Sequence, residues 1–412
     1  MRCFLKKYII RSVTNLFEKR AIKATFKDGY HRLFPYVWLR DCSLDDKTYV
    51  ISNAMKGRLH SMRDFDVNVK PINFRLDSKG KSLLVEWPGN VNSRYEPKWL
   101  RTHCPGSKAV REKRRQIYLG YECIRLWEDR STIESRLKRF SHQLFLEDDK
   151  VLHDFLKAVC VDGIAVLKGT EYSPDLRNEV LWSIIRRIGM VQPTHFGETF
   201  EVCPKPDASN MAYANTQELP YHTDFPSLQD PPQLQMLHMC KKAECGGGKS
   251  MFVDGFSIAK KMFREHYDEY KLLCYYPLEF IEEGFDVHNI KGFQDKEERV
   301  DFAMVARHKT FNWFLDMAEN DSSDIQELYD ALKLFTKLCY LPENQLIFPL
   351  ESGDTVLWAN TRILHARSAY KLIGTQERER YVLGCYFSWD TIKSRIRLIR
   401  RQLKLPEDQE MV

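Results

Sequence analysis

The sequence predicts a mainly β fold with flanking helices (α+β): a jelly-roll core preceded by a small β-rich N-terminal domain. Three observations predict it. The strand-like runs of the second half are short and separated by long loops, with few helices between them, which favours a jelly roll over a doubly wound sheet. An earlier stretch, "SLLVEW", alternates with period two after an Asp-Ser-Lys-Gly turn, so strands also precede residue 105. From residue 146 the pattern changes, and helical segments alternate with strands.

The bulk numbers agree. A chain of 412 residues can bury a large core and is long enough for two or three domains. Its 43% hydrophobic and 29% charged composition is that of a soluble globular protein. No apolar run approaches the roughly 20 residues of a membrane-spanning helix, and a net charge of +6 does not call for nucleic acid, so neither partner is expected. Eleven scattered cysteines without a Cys-x-x-Cys pair read as reduced intracellular thiols; Cys240 and Cys245 lack partners for a four-ligand zinc site.

In chain order, residues 1–20 hold no acid before Glu18. Leu5, Ile9, Val13 and Leu16 would line one helix face, with Arg2, Lys6, Lys7 and Arg11 supplying positive charge. That resembles a mitochondrial presequence; the alternative is a basic helix of a cytoplasmic protein. Residues 21–105 form the β-rich domain, with two strands in "VKPINFRLDSKGKSLLVEWPG". Residues 106–145, with the charge run "REKRRQ", read as a solvated helix or linker. Residues 146–405 form the jelly-roll domain. "LEDDKVLHDFLKAVC" is a helix, "DGIAVLKG" a buried strand, and "SPDLRNEVLWSIIRRIG" a helix with Ser173 as cap. Strands follow at "PYHTDF", "LQMLHMC", "KSMFVDGF", "DFAMVA", "GDTVLWAN" and "RYVLGCYFSW". A last helix, "TIKSRIRLIRRQLKL", lines up Ile392, Ile396, Ile399 and Leu403, a face suited to packing or to a homodimer interface.

The chemistry centres on "LPYHTDFPSLQDPP". His222 and Asp224 lie two apart, so on a strand both side chains leave one face. An imidazole and a carboxylate in one cavity are two thirds of the facial triad that holds non-haem Fe(II). Among twelve histidines, His31, His60, His103, His142, His153, His195, His266, His288 and His308 read as surface residues, and His238 on an apolar strand as a satisfied core residue. His365, in "GDTVLWANTRILHAR", has the better context for the third ligand. Fifteen positions on, Arg380 begins the next strand. A buried guanidinium there would bind the far carboxylate of 2-oxoglutarate, whose other end chelates iron.

The stretches "FPYVWLRD", "HTDFPSLQDPPQLQMLH", "GGGKSMFVDGF", "ILHARSAY" and "SRIRLIRRQ", in order over about residues 30 to 405, resemble the gamma-butyrobetaine and trimethyllysine dioxygenase family. The aromatic-Pro after His-Thr-Asp and the double proline fit the butyrobetaine branch better. The resemblance implies a double-stranded β-helix, with Fe(II) on His222, Asp224 and His365 and 2-oxoglutarate on Arg380. It implies ascorbate as reductant and O2 as co-reactant. The reaction implied is hydroxylation of gamma-butyrobetaine to L-carnitine, or the same chemistry on trimethyllysine or another small zwitterion. A non-catalytic jelly-roll scaffold is the reading from another class.

A quaternary ammonium offers no hydrogen bond, so aromatic faces must hold it. Positions matching the family's cage are Phe196, Phe200, Tyr213 and Tyr386, where the family usually has Tyr and Trp at the first two. Asn210 matches an asparagine that contacts the substrate carboxylate. A second such residue has no clear match; Arg307 or Asn312 could substitute. The family's zinc-binding cysteine cluster after "WLRD" is reduced to Cys42, beside Ser43, Asp45 and Asp46, so no zinc is expected and Trp38, Trp87 and Trp99 are expected to hold this domain's core.

Overall fold

The computed structural model describes residues 8–51, 56–59, 61–77, 82–111, 124–169, 177–194, 196–204, 216–226, 228–244, 246–275, 284–285, 303–304, 322–372 and 380–405. The chain divides into two compact units, one of residues 1–119 with 409–412 and one of residues 120–408.

In the first unit, β1 (Ile10–Leu16), β2 (Ala21–Phe26) and β3 (His31–Pro35) form an antiparallel sheet. Helix α1 (Tyr36–Asp41) and a hairpin of β4 (Tyr49–Ile51) and β5 (Lys56–Arg58) follow. A second antiparallel sheet of β6 (Asn73–Leu76), β7 (Leu83–Trp87) and β8 (Val91–Tyr95) leads into α2 (Pro97–His103). The alternation in "LLVEW" sends Leu83, Val85 and Trp87 into a core shared with Ile22, Phe26, Phe34 and Leu39. Trp38 and Trp99 stack at 5.1 Å against this core. Cys42 closes α1, and a polar network follows it: Trp87 donates to Ser93 Oγ, which is 2.6 Å from Ser43 Oγ, and Ser43 donates to Asp45.

One expectation fails here. Residues 10–16 form a strand, not a turn of amphipathic helix. Ile9, Ile10, Val13 and Thr14 are β-branched and fit a pleated surface better than a helix. β2 offers the pairing edge, with Val13 opposite Ala24.

The second unit begins inside the expected linker. "REKRRQ" lies outside the described residues apart from the exposed Arg111. Trp127, Ile133 and Leu137 are buried, Asp129 caps α3 (Arg130–Arg136), and β9 (Arg139–Ser141) joins a sheet. The polar average of this stretch hid three core side chains. Next come α4 (His142–Glu147), α5 (Asp149–Asp162), β10 (Ile164–Lys168) and α6 (Arg177–Ile188); Ser173 lies outside the described residues. His142 and His153, expected at the surface, are buried because α4 and α5 pack on the sheet, and Arg400 donates to His153 Nε2 at 3.1 Å.

The remaining elements are β11 (Phe200–Val202), β12 (Leu219–His222), β13 (Leu234–Lys241), β14 (Ser250–Asp254), α7 (Gly255–Glu265), α8 (Tyr267–Tyr275), the pair β15 (Gly284–Phe285) and β16 (Ala303–Met304), α9 (Ser322–Cys339), β17 (Gln345–Phe348), β18 (Thr355–Trp358), β19 (Ile363–Arg367), β20 (Tyr381–Phe387) and α10 (Trp389–Leu403). One sheet has the order β11-β20-β13-β18-β10-β9, antiparallel except for β9 beside β10. The other has the order β12-β19-β14-β17 and is antiparallel throughout.

Alternation sorts the six-stranded sheet's side chains. Ala165, Leu167, Leu357, Leu383, Cys385 and Phe387 pack against α5, α6 and α10, while Val166, Val356, Trp358 and Val382 share a cluster with Phe252, Leu346 and Ile363 of the other sheet. Strands buried on both faces lose the polar half of their alternation, which is why "LQMLHMC" reads as a continuous apolar run. Ile392, Ile396 and Ile399 of α10 are buried within this chain's own core beside α5 residues. That face therefore does not argue for a dimer. Burying each isoleucine contributes about 1.5–3 kcal/mol.

Candidate active site

β12 ends at His222, and in its ladder with β19 His222 stands directly opposite His365. Cross-strand partners have neighbouring side chains, and the two imidazole centroids are 4.1 Å apart. Asp224 lies just past the strand end, not on it. Its Oδ1 is 3.3 Å from His222 Nε2 and 3.6 Å from His365 Nε2. One ligand atom from each of the three lies within 4.8 Å of the others. His222 Nδ1 is 2.7 Å from the Pro220 carbonyl. A carbonyl only accepts, so Nδ1 carries a proton, and Nε2 is the nitrogen turned to the cluster, as in a metal-binding histidine. Two imidazole nitrogens and a carboxylate oxygen are the donor set of non-haem Fe(II) oxygenases, and these residues fit that ion.

Burial pushes the Asp224 carboxyl up, but the hydrogen bond to His222, the charges of His365 and His222, and the Tyr386 hydroxyl outweigh it and hold the group well below the usual carboxylate range. Tyr386 donates to Asp224 Oδ2 at 2.6 Å.

Tyr386 also belongs to an aromatic cluster. Phe200 stacks on it at 5.0 Å, Phe225 meets it edge-on at 5.6 Å, and Phe196 lies 6.1 Å from Phe200 and 5.9 Å from Phe225. Phe200 pairs with Gly384 across β11 and β20, and a Cβ at Gly384 would fall 2.2 Å from the Phe200 ring. Only a glycine there lets the ring lie across the strand onto Tyr386. Tyr213, Asn210, Arg307 and Asn312 lie outside the described residues.

Arg380 is buried immediately before β20. Its guanidinium sits 5.3 Å from the Tyr370 ring centroid, and that of Arg367 sits 4.7 Å from it. Burial and the like charge of Arg367 push Arg380 down to about 10, still cationic at neutral pH. The glycine run before "KSMF" makes this fit possible. Gly247 and Gly248 have φ of +79° and +59°, and Cβ atoms there would meet the Ala369 carbonyl at 2.4 Å and Arg380 Nε at 3.2 Å. Arg367 is two residues beyond His365 on β19, so the cationic end shares a strand face with the triad.

His238, by contrast, is buried, 2.8 Å from Thr355 Oγ1 through Nδ1, and pushed down to about 4 by burial and by His142. It is a core residue. Sequence reasoning missed Phe225, Tyr370, Arg367 and Asn360. The "HAR" triplet displayed Arg367 without giving it a role, and nothing in "LWANTR" marks Asn360 beyond a turn.

A two-histidine, one-carboxylate cluster at the strand edges of a two-sheet core, with a buried arginine just before the next strand, is the arrangement of a non-haem iron oxygenase. The sequence pattern of the taurine catabolism dioxygenase TauD, TfdA family matches residues 132–386, and the chain belongs to that family. It is a 2-oxoglutarate-dependent dioxygenase using Fe(II) and 2-oxoglutarate. Over most of its length it resembles human gamma-butyrobetaine dioxygenase, 30% identical over 388 residues, 92% of this chain and 94% of that protein. The Pseudomonas sp. (strain AK-1) gamma-butyrobetaine dioxygenase is 29% identical over 382 residues, again 92% and 94%. Chicken mitochondrial trimethyllysine dioxygenase is 27% identical over 383 residues, 90% of this chain and 84% of that protein.

Proposed function

We propose that this dioxygenase hydroxylates gamma-butyrobetaine to L-carnitine, with His222, Asp224 and His365 holding Fe(II) and Arg380 anchoring 2-oxoglutarate. What supports the reading most is one hydrogen bond: Tyr386 joins an aromatic cluster suited to a quaternary ammonium to the carboxylate of the triad. Bound there, iron would let O2 oxidise 2-oxoglutarate to succinate and CO2, with one oxygen atom going to succinate and the other to the substrate.

The chain's own groups do the rest. Arg380 fixes the far carboxylate of 2-oxoglutarate with its planar fork, and the Tyr370 ring and glycine run keep water from that pair. Phe196, Phe200 and Tyr386 present ring faces to the cation, an attraction of about 0.5–2 kcal/mol for each well-placed face. Phe225 completes the wall. Tyr213 and Asn210 belong to this reading through the family match, as the fourth ring and a carboxylate contact. The two sheets are assigned as the halves of a double-stranded β-helix, and residues 21–105, with β1 on their sheet, as its β-rich N-terminal domain.

Trimethyllysine is the second reading, since relatives of that name match over nearly the same span. Those relatives are named mitochondrial, which supports a mitochondrial location here.

The test is succinate release by the iron-loaded protein given 2-oxoglutarate and ascorbate, with gamma-butyrobetaine and trimethyllysine in separate reactions. Stimulation by gamma-butyrobetaine alone is expected; stimulation by trimethyllysine alone would transfer the assignment to it. His222→Ala should abolish turnover in either case.

A further inference from the structure

We infer that Asn360 and Tyr386 are positioning residues that together fix which oxygen of Asp224 faces the metal. The inference rests on the metal reading above and adds residues to it that are not themselves ligands.

Asp224 has left its strand, so no ladder holds its backbone. It stands directly before Phe225, whose φ of +56° is left-handed and rarely adopted by a residue with a side chain. A loop of that kind would ordinarily relax, and a ligand on it would wander. Asn360 prevents this. From the turn between β18 and β19 its Oδ1 accepts from the Asp224 backbone N–H at 2.9 Å. Its Nδ2 donates to the Asp224 carbonyl at 3.0 Å and to the Pro232 carbonyl at 2.8 Å. Asn360 is 1% exposed, so these bonds face no competition from water. An amide accepts through one atom and donates two bonds through the other, which a hydroxyl cannot do.

Backbone pinning leaves the carboxylate free to rotate about its last bond, and Tyr386 removes that freedom. Its hydroxyl takes Oδ2 at 2.6 Å, while Oδ1 is the oxygen 3.3 and 3.6 Å from the two Nε2 atoms. The two carboxylate oxygens thus have different partners, and Asp224 is set to offer a single oxygen. A carboxylate with one oxygen committed elsewhere keeps a coordination position open that a bidentate one would occupy. Because the same tyrosine ring stacks on Phe200 and meets Phe225, anything that shifts the aromatic cluster is felt at Asp224 through one bond.

The test uses the full chain stripped of metal and titrated with Co(II), whose visible absorption reports both binding and coordination geometry without turnover. Tyr386→Phe keeps the ring and removes only the hydroxyl. It should bind Co(II) about 10-fold more weakly, with an altered band shape. Tyr381→Phe is the control: its hydroxyl also bonds a carboxylate, Glu201 at 2.6 Å, from the same strand, but touches no residue of the triad. It should titrate like the unsubstituted protein. Asn360→Ala should weaken Co(II) further, and if that variant does not fold, Tyr386→Phe decides alone. An affinity within twofold of the unsubstituted protein and an unchanged band in Tyr386→Phe would overturn the inference. If His222→Ala left the Co(II) band intact, the metal reading itself would fall, and this inference with it.

Discussion

Two buried arginines in the second unit, Arg362 and Arg380, are each 5% exposed and otherwise opposite in circumstance. Arg362 is saturated. Its Nε and Nη2 donate to Asp254 at 3.2 and 2.7 Å, and it also donates to the carbonyls of Val161 and Arg125. Asp254 in turn accepts from the backbone of Trp127, Phe256 and Ser257, tying α7 to the segment before α3. Arg380 has an aromatic ring and a second arginine beside it, and no ion pair to an acid among the described residues. The first is a cation that completes a structure. The second is a cation with no acidic counter-charge among the described residues. Burial alone distinguishes neither; what faces the charge does.

Replacing each arginine by methionine is the strongest way to break this contrast. Arg380→Met should raise the KM for 2-oxoglutarate about 100-fold or more, since the cosubstrate loses a buried charge partner. Its unliganded form should be as stable as the original, because an uncompensated charge has gone. Arg362→Met should do the reverse, leaving Asp254 alone in the interior and costing about 3–5 kcal/mol of stability in denaturant melts. Equal loss of stability in both variants would erase the distinction.

His238 sharpens it with a third buried base. Its folded-state value of about 4 lies below the ordinary 6.5, so the unfolded chain binds the extra proton between those values. Stability from this group is complete above pH 6.5 and declines as pH falls toward 4, by about 3 kcal/mol in all. His238→Asn should flatten that limb in urea titrations at pH 7, 5.5 and 4.5. The smallest effect is expected at the aromatic end. Gly384→Ala should displace Phe200, raising the KM for a cationic substrate several-fold with kcat less affected, and costing about 1–3 kcal/mol through overpacking.

Much of this was legible in the sequence. The residues of the triad and Arg380 could be picked out because their chemistry is restrictive: an imidazole beside a carboxylate, a late histidine, a guanidinium at a strand start. Register was not legible. That His222 stands opposite His365 depends on how β12 aligns with β19, and no local pattern encodes that alignment. Asp224 was read as a strand residue because spacing two implies one face, but the strand ends at His222. Residues 10–16 were read as helical because Ile9, Val13 and Leu16 fall at helical spacing, and so short a run does not fix the period. Asn360 was invisible since its role lies in two backbone groups at distant positions, and side-chain chemistry carries no mark of that.

The Asn360 contact spans 136 residues of chain. A nascent chain emerging from a ribosome has made His222 and Asp224 long before it has either Asn360 or His365. Until then the histidine and the carboxylate sit on an unpinned loop, a two-donor fragment with little hold on a scarce ion. If these residues hold iron as proposed, the third ligand arrives only when residue 365 has been made.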